Sequence, residues 1–434
     1  METPLVRRRR WFAGALSSRR TVLTVAALTL LLLAVQVPAA ASAARARTPL
    51  PTHRLKVAKL QRDVFRHLLR AFSRIERTKP RKPQPPPAPL PPPPAEPPPP
   101  PPPAPPATSA NDRYGVSPDN IEFDDPATRD RTLDSLVAMG ARWLRFDVKW
   151  DVIQHAGPSS YDWSRYDALV AAAQARGLKI LGTLAYAPRW ARSAACLDST
   201  ACEPRSASEY ADWAGATVAH FKGRISHWEV WNEPNIPSFW QPQPNVARYT
   251  ALLRAAYPSI KAADPSAVVL AGGTSPAAND GVRIDEVSFL QGVYANGGQG
   301  SFDAWSHHPY THPWPPGNVH ADSAWYQMHG TSPSMRSLMR ANGDGHKKVW
   351  GTEYGPPTAG GPGAVSEATQ AEHVTDAYRL WRSYDWAGVL FWYCDRDVAA
   401  PGASTEGWRY HGLLRFDFSA KPAWNAYRVS AATP

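Results

Sequence analysis

The sequence predicts an α/β fold closed as a (β/α)8 barrel over residues 111–434. Three observations predict it. Eight short apolar runs alternate with helix-like stretches through that span, the pattern of parallel β-α units. Its 324 residues suit one barrel, which typically needs about 250 plus loop insertions. The alternative is a doubly wound open sheet, which places a Gly-rich phosphate loop after its first strand. Tyr-Gly-Val-Ser-Pro-Asp-Asn, at that place here, is not such a loop.

The strands are expected near 112–116, 143–149, 179–185, 226–232, 267–272, 302–308, 348–353 and 388–394. Amphipathic stretches lie between them: Arg129–Met139, Tyr166–Arg176, Ser208–Phe221, Val246–Ala262 and Glu367–Tyr384. After the sixth strand Gly330, Pro333 and Gly343 interrupt the helical pattern.

The residues before the barrel read differently. Residues 1–110 carry 19 Lys/Arg and 4 Asp/Glu, whereas the rest of the chain carries 29 and 33. The net charge of +11 is therefore a property of the N-terminal third and does not argue for nucleic-acid binding by the barrel. Arginines 7–10, 19 and 20 precede a seventeen-residue apolar run, Thr21–Val37, and Ala41-Ser42-Ala43 follows. Residues 1–43 thus have the layout of an export signal, with an uncleaved signal anchor as the alternative. Either reading puts the barrel outside the cytoplasm, secreted or anchored at the cell envelope.

Residues 44–82 form a basic segment. Within 54–77, Val57, Leu60, Val64, Leu68, Phe72 and Ile75 recur at helical spacing among arginines and lysines. That helix would lie on anionic membrane or cell-wall polymer, or pack on another surface of protein. Residues 83–110 are a linker, mostly proline, that cannot pack a core. At about 3.1 Å per residue its proline tract would span about 70 Å as a semi-rigid spacer.

The chemistry concentrates in two carboxylates. Glu233 stands in Trp-Asn-Glu-Pro and Glu353 in Trp-Gly-Thr-Glu-Tyr-Gly, at the polar ends of the fourth and seventh strands. Barrels take their catalytic groups from the C-terminal ends of strands. Two acids aimed at one cleft from such ends are what cleaving a glycosidic bond requires. One donates a proton to the leaving oxygen, and the other stays ionised. The bland reading of either glutamate alone is a structural ion pair. Glu229 shares the alternation parity of Glu233 but lies deeper, as a barrel-interior group.

His227–Asn235, His-Trp-Glu-Val-Trp-Asn-Glu-Pro-Asn, resembles the fourth-strand motif of the clan A retaining glycoside hydrolases, families 39 and 5 above all. The resemblance implies that Glu233 is the acid/base and Glu353 the nucleophile. It implies that Asn232 bonds the sugar 2-hydroxyl, which strict strand alternation would forbid without a bulge or turn. His308-Pro309-Tyr310 matches a His-x-Tyr in which the Tyr bonds the nucleophile and the His lines the cleft. Arg145 matches the arginine that holds the nucleophile ionised, or else makes a barrel-floor ion pair. Trp392 matches the tryptophan that floors the sugar site, with a non-proline cis peptide expected at Trp392–Tyr393. Strand three ends Leu184-Ala185-Tyr186-Ala187-Pro188 and lacks the His common in family 5, which favours family 39.

Seventeen of the eighteen tryptophans fall in the barrel region, and Trp190, Trp240, Trp314 and Trp408 sit in loops expected at the active face, where aromatic rings suit sugars. Trp143, Trp213 and Trp381 read as core. His307 and His312 beside His308 raise a metal site, but no further ligand motif completes one, and no cofactor is expected. Cys196 and Cys202 read as a local bridge in an exported protein, and Cys394 as a buried free thiol. The sequence therefore predicts a retaining β-glycosidase acting on a poly- or oligosaccharide. A polysaccharide-binding barrel without catalysis and a transglycosylase with the same residues are the rivals.

Overall fold

The computed structural model describes residues 112–433. The export signal, the basic segment 44–82 and the linker 83–110 lie outside the described residues. The described chain is a closed barrel of eight parallel strands in sequence order. They are β1 Tyr114–Val116, β2 Trp143–Lys149, β3 Lys179–Ala185, β4 His227–Asn232, β5 Val268–Thr274, β6 Ala304–His307, β7 Val349–Tyr354 and β8 Ala387–Trp392. The β1–β8 pairing, Gly115 opposite Phe391, closes the ring.

Helices return the chain between strands: α1 Pro126–Ala138, α2 Trp150–Ile153, α3 Ser164–Ala175, α4 Ala207–His220, α5 Val246–Ala263, α6 Glu286–Ala295, α7 Ala324–Gln327, α8 Met335–Ala341, α9 Glu367–Ser383 and α10 Pro422–Ala432. Their starts are written in side chains. Asp125 accepts from the amides of Ala127 and Thr128 with Pro126 in the first turn, and Ser206, Asn245, Asp285 and Ser366 cap α4, α5, α6 and α9. Each long helix buries one stripe, as Tyr210, Trp213, Ala214, Thr217 and Val218 do on α4. The interrupted stretch after β6 becomes two short helices, α7 and α8, separated by Gly330 and a cis Ser332–Pro333 bond.

The core has two parts. The larger fills the space between strands and helices. The smaller plugs the bottom of the barrel with Trp143, Leu181, Leu270, Trp350, Val389 and Phe391. Above that apolar plug the inward positions turn polar: Arg145 on β2, Thr183 on β3, Glu229 on β4 and Thr352 on β7. This polar layer sits directly beneath the C-terminal ends of the strands and supports whatever is built there.

Candidate active site

Glu229 is the hub of the polar layer. It is fully buried and accepts from Arg145 Nε at 2.8 Å, the hydroxyls of Thr183 and Thr352 at 2.9 Å each, and the Gly273 amide at 3.1 Å. Burial opposes its charge, but Arg145 and His308 outweigh burial and hold it below the ordinary carboxylate range. Arg145 is thereby anchored from below. Its fork reaches up to Glu353 Oε1 at 2.7 Å, Asn232 Oδ1 at 2.6 Å and Ser117 Oγ at 3.2 Å.

The end of β4 departs from strand geometry. Trp231 and Glu233 both have left-handed backbones, φ 72° and 45°. Neither is glycine, so each is strained by about 1–3 kcal/mol, the kind of cost found at functional sites. The double reversal turns both Asn232 and Glu233 toward one cleft, which alternation alone could not do. Glycines on β5 make room for it. A Cβ on Gly272 would strike the Val230 carbonyl and sit 2.7 Å from that of Trp231, and one on Gly273 would strike the His308 ring. The Glu233 amide donates to Gly273 O at 2.9 Å and fixes the reversed turn.

His308, fully buried past the end of β6, bridges the two candidate acids. Its Nδ1 lies 2.9 Å from Glu233 Oε1 and 3.5 Å from Glu353 Oε2. Burial would lower its pKa, yet Glu353 and Glu233 together raise it, so the bridge favours the imidazolium. Tyr310 Oη donates to Glu353 Oε2 at 2.9 Å. Burial, then Glu353, push that phenol well above its ordinary value, so it remains a donor. One oxygen of Glu233, one of Glu353 and one nitrogen of His308 all lie within 4.8 Å of one another. They are the group among the described residues whose spacing could hold a cation. Here they form a hydrogen-bonded bridge.

The carboxylates thus differ in support. Both oxygens of Glu353 are held, by Arg145 and by Tyr310. Glu233 is held through one oxygen, and its Oε2 takes no protein donor among the described residues. The pair sits where two lobes of a cleft meet, and both lobes share Glu233, Glu353, Phe239 and Tyr393. One lobe, about 270 Å³, is polar and includes Asn232, Arg145, Asp147 and Lys149. The other, about 460 Å³, is walled by Pro357, the Gly360–Gly363 turn, Trp408 and His411. Burial pushes His312 and His411 there down to about 4 and about 3, so both are neutral imidazoles.

Six of the seven expected site residues meet in this network: Glu233, Glu353, Asn232, Arg145, His308 and Tyr310. Trp392 does not line either lobe. It is fully buried, packs edge-on against Tyr354 and donates its indole N–H to His411 O at 3.1 Å. Tyr393 lines the cleft instead, and the non-proline cis bond is Tyr393–Cys394, one residue later than expected; a second is Ala185–Tyr186. The reason is local: Trp392 is the last residue of β8, and its ring is pulled into the packing between β7 and the loop that carries His411. Of the loop tryptophans Trp408 lines the apolar lobe, Trp314 is exposed without lining either, Trp240 is core, and Trp190 packs on Trp150. His307 is buried between Thr274 and the Ala324 carbonyl, and burial pushes it down to about 3. It is a structural residue.

Sequence reasoning missed Asp147, Lys149, Asp119, Tyr186 and Phe239 in the polar lobe. Asp147 and Lys149 were within reach, because they share the inward parity of Arg145 on β2. Asp119, Tyr186 and Phe239 come from loops, where no period signals placement. The Cys196–Cys202 bridge is formed, and its loop brings Thr200 and Ala201 to the rim of this lobe. Cys394 is free and buried, its thiol pushed well above the ordinary range, first by desolvation.

Comparison with known proteins finds this barrel fold in several glycoside hydrolases. The chain is similar to a family 39 glycoside hydrolase from Bacteroides cellulosilyticus, at 23% identity and TM-score 0.59, covering 74% of this chain and 63% of that one. It is similar to a monomeric β-xylosidase from Caulobacter crescentus, at 20% identity and TM-score 0.55, covering 75% and 69%. It is also similar to a GH5_18 protein from Streptomyces cattleya, at 19% identity and TM-score 0.53, covering 74% and 82%. At these identities the likeness is one of fold. A 72-residue stretch, 17% of the chain, is 36% identical to a β-amylase from Medicago sativa, and spans only 14% of that protein. No protein-family model matches the chain.

Proposed function

We propose that the barrel is a retaining β-glycosidase that hydrolyses O-glycosidic bonds of a poly- or oligosaccharide by double displacement. The observation that carries this reading is the support given to two carboxylates with oxygens within 4.8 Å of each other. An inverting pair leaves about 6.5–9.5 Å between its carboxyl groups for a water, and a retaining pair about 5–5.5 Å. One oxygen of each acid lies within 4.8 Å of the other and His308 Nδ1 reaches both, a close approach that supports retention.

In the first step Glu353, clamped by Arg145 and Tyr310, attacks the anomeric carbon while Glu233 gives its proton to the leaving oxygen. The glycosyl–Glu353 ester forms, the glycosidic C–O bond breaks, and the aglycone leaves as an alcohol. In the second step Glu233, now a carboxylate, takes a proton from water. That water attacks the anomeric carbon and frees Glu353. Asn232, fixed by Arg145, is placed to bond the 2-hydroxyl, a contact that tightens in the transition state. His308 keeps the two carboxylates in register. The export-type N-terminus supports placing this activity outside the cytoplasm, and the proline-rich tract supports a spacer between envelope and barrel.

Aryl β-glycosides test the reading. Glu353→Gln abolishes turnover, and Glu233→Gln spares the first step on activated aryl groups, which need little acid help. Nuclear magnetic resonance of the first-formed product shows the anomer of the substrate. Full activity of both variants on all substrates, or an inverted first product, refutes it. Transfer to added sugar acceptors in preference to water would mark a transglycosylase instead.

A further inference from the structure

The charges around the polar lobe bear on which sugar it accepts, given the glycosidase reading above. Most of them are matched. Arg145 lies between Glu229 and Glu353, at 2.8 and 2.7 Å, with His308 beside Glu353 at 3.5 Å. Lys149 Nζ donates to Glu122 Oε1 at 2.8 Å and to Asn120 Oδ1 at 2.7 Å, so its charge is already paired with Glu122. Two carboxylates on the wall make no ion pair among the described residues. Asp119 accepts from the neutral donors Tyr393 Oη, at 3.2 Å, and Asn120 Nδ2, at 2.9 Å.

Asp147 is less satisfied still. It lines the lobe two residues beyond Arg145 on the inward face of β2, and among the described residues no group donates a hydrogen bond to it. Burial pushes its carboxyl up, against the pull of Lys149 and Arg145. Asp147 is partly exposed to the lobe, so a bound ligand that displaces its water must supply a donor in its place. A ligand anion placed there would face Asp147 and Asp119 at close range in a partly dry site.

We propose that the polar lobe accepts a glycone without negative charge, a neutral or amine-bearing pyranoside, and that Asp147 reads it by accepting hydrogen bonds from its hydroxyl or amine. Uronic, sulfated and phosphorylated glycones are excluded by the same residue. Asp147 is thus a specificity residue for the reaction, distinct from the pair that performs it.

Ring-matched pairs of 4-nitrophenyl β-pyranosides and β-pyranosiduronates, with the amino-sugar counterparts, test this on the full chain. Neutral and amino substrates should exceed their uronides in kcat/KM by about 100-fold. Asp147→Asn should lower the neutral rates by about 10-fold and shrink the ratio by a similar factor. Asp119→Asn removes the other unmatched charge and should narrow the ratio too, which keeps the test open if Asp147→Asn does not fold. Equal use of uronides by the wild type, or an unchanged ratio in both variants, overturns the proposal. If no glycoside of any charge is cleaved, the hydrolase reading fails separately, and saturation-transfer resonance with the matching methyl glycosides decides this one. Neutral or amino ligands that bind the wild type and weaken in Asp147→Asn uphold it. Binding of uronides as strong as that of the neutral sugars, or no binding of any sugar, overturns it.

Discussion

Arg145→Lys separates positioning from mere charge. The guanidinium donates to Glu229, Glu353, Asn232 and Ser117 at 2.8, 2.7, 2.6 and 3.2 Å, and the residue is 2% exposed. Lysine keeps the positive charge but replaces a rigid fork by a single ammonium, which cannot span acceptors above and below it. Two of the contacts to charged or strongly polar partners are then lost. At about 1.5–3 kcal/mol for each hydrogen bond to a charged group, the total is about 3–6 kcal/mol. That total divides between the fold, through Glu229, and the reacting groups, through Glu353 and Asn232. A half share at the site corresponds to a fall in kcat of about 10–100-fold. The other half lowers the melting temperature by about 2–4 °C for a domain of this size. Burst kinetics on an activated aryl glycoside and a thermal melt of the same preparation measure the two shares. A folded Arg145→Lys protein with kcat within threefold of wild type would show that the fork does not hold the nucleophile, and the argument from Arg145 would fail.

Two further outcomes follow from groups outside the reacting pair. Glu286, at the start of α6, is almost fully buried, and burial raises its carboxyl from 4.5 to about 8 against the bonds from its own amide and that of Ala277. The unfolded chain loses this proton near pH 4.5 and the folded chain keeps it, so stability falls as pH rises from about 4.5 to about 8, by up to about 4 kcal/mol. Glu286→Gln should therefore melt higher than wild type at pH 8 and nearly with it at pH 4.5; parallel melting curves across that range would contradict the assignment. Replacing both Cys196 and Cys202 by Ser frees the loop that carries Thr200 and Ala201 to the rim of the polar lobe. KM should rise several-fold with kcat little changed, at a stability loss of about 2 kcal/mol at most, and an unchanged KM would show that the wall does not depend on the bridge.

Much of the site was legible before the structure. Glu233, Glu353, His308 and Tyr310 each close or follow a strand-like run, and a barrel brings all strand ends to one face; Arg145 lies inside β2, on its inward parity. Trp392 shows the limit of that logic. It stands at a strand end like the others, but it is large and apolar, and the packing between Tyr354 and the His411 loop takes its ring away from the cleft. The bridging role of His308 was also out of reach, because it depends on two side chains 75 and 45 positions away meeting one nitrogen.

Alternation of apolar runs with helical stripes, read from the sequence by itself, determined the barrel, its strand order and the two acids at the ends of strands four and seven. It could do so because periodicity and strand ends are local properties of a chain. The tertiary structure alone decided which way Asn232 faces, that Glu229 anchors Arg145 from below, and that Asp147 takes no donor among the described residues. Those outcomes depend on left-handed turns at Trp231 and Glu233, on two glycines in the neighbouring strand, and on contacts between residues far apart in sequence. No local pattern encodes such contacts, because each is settled by what the closed barrel places opposite it.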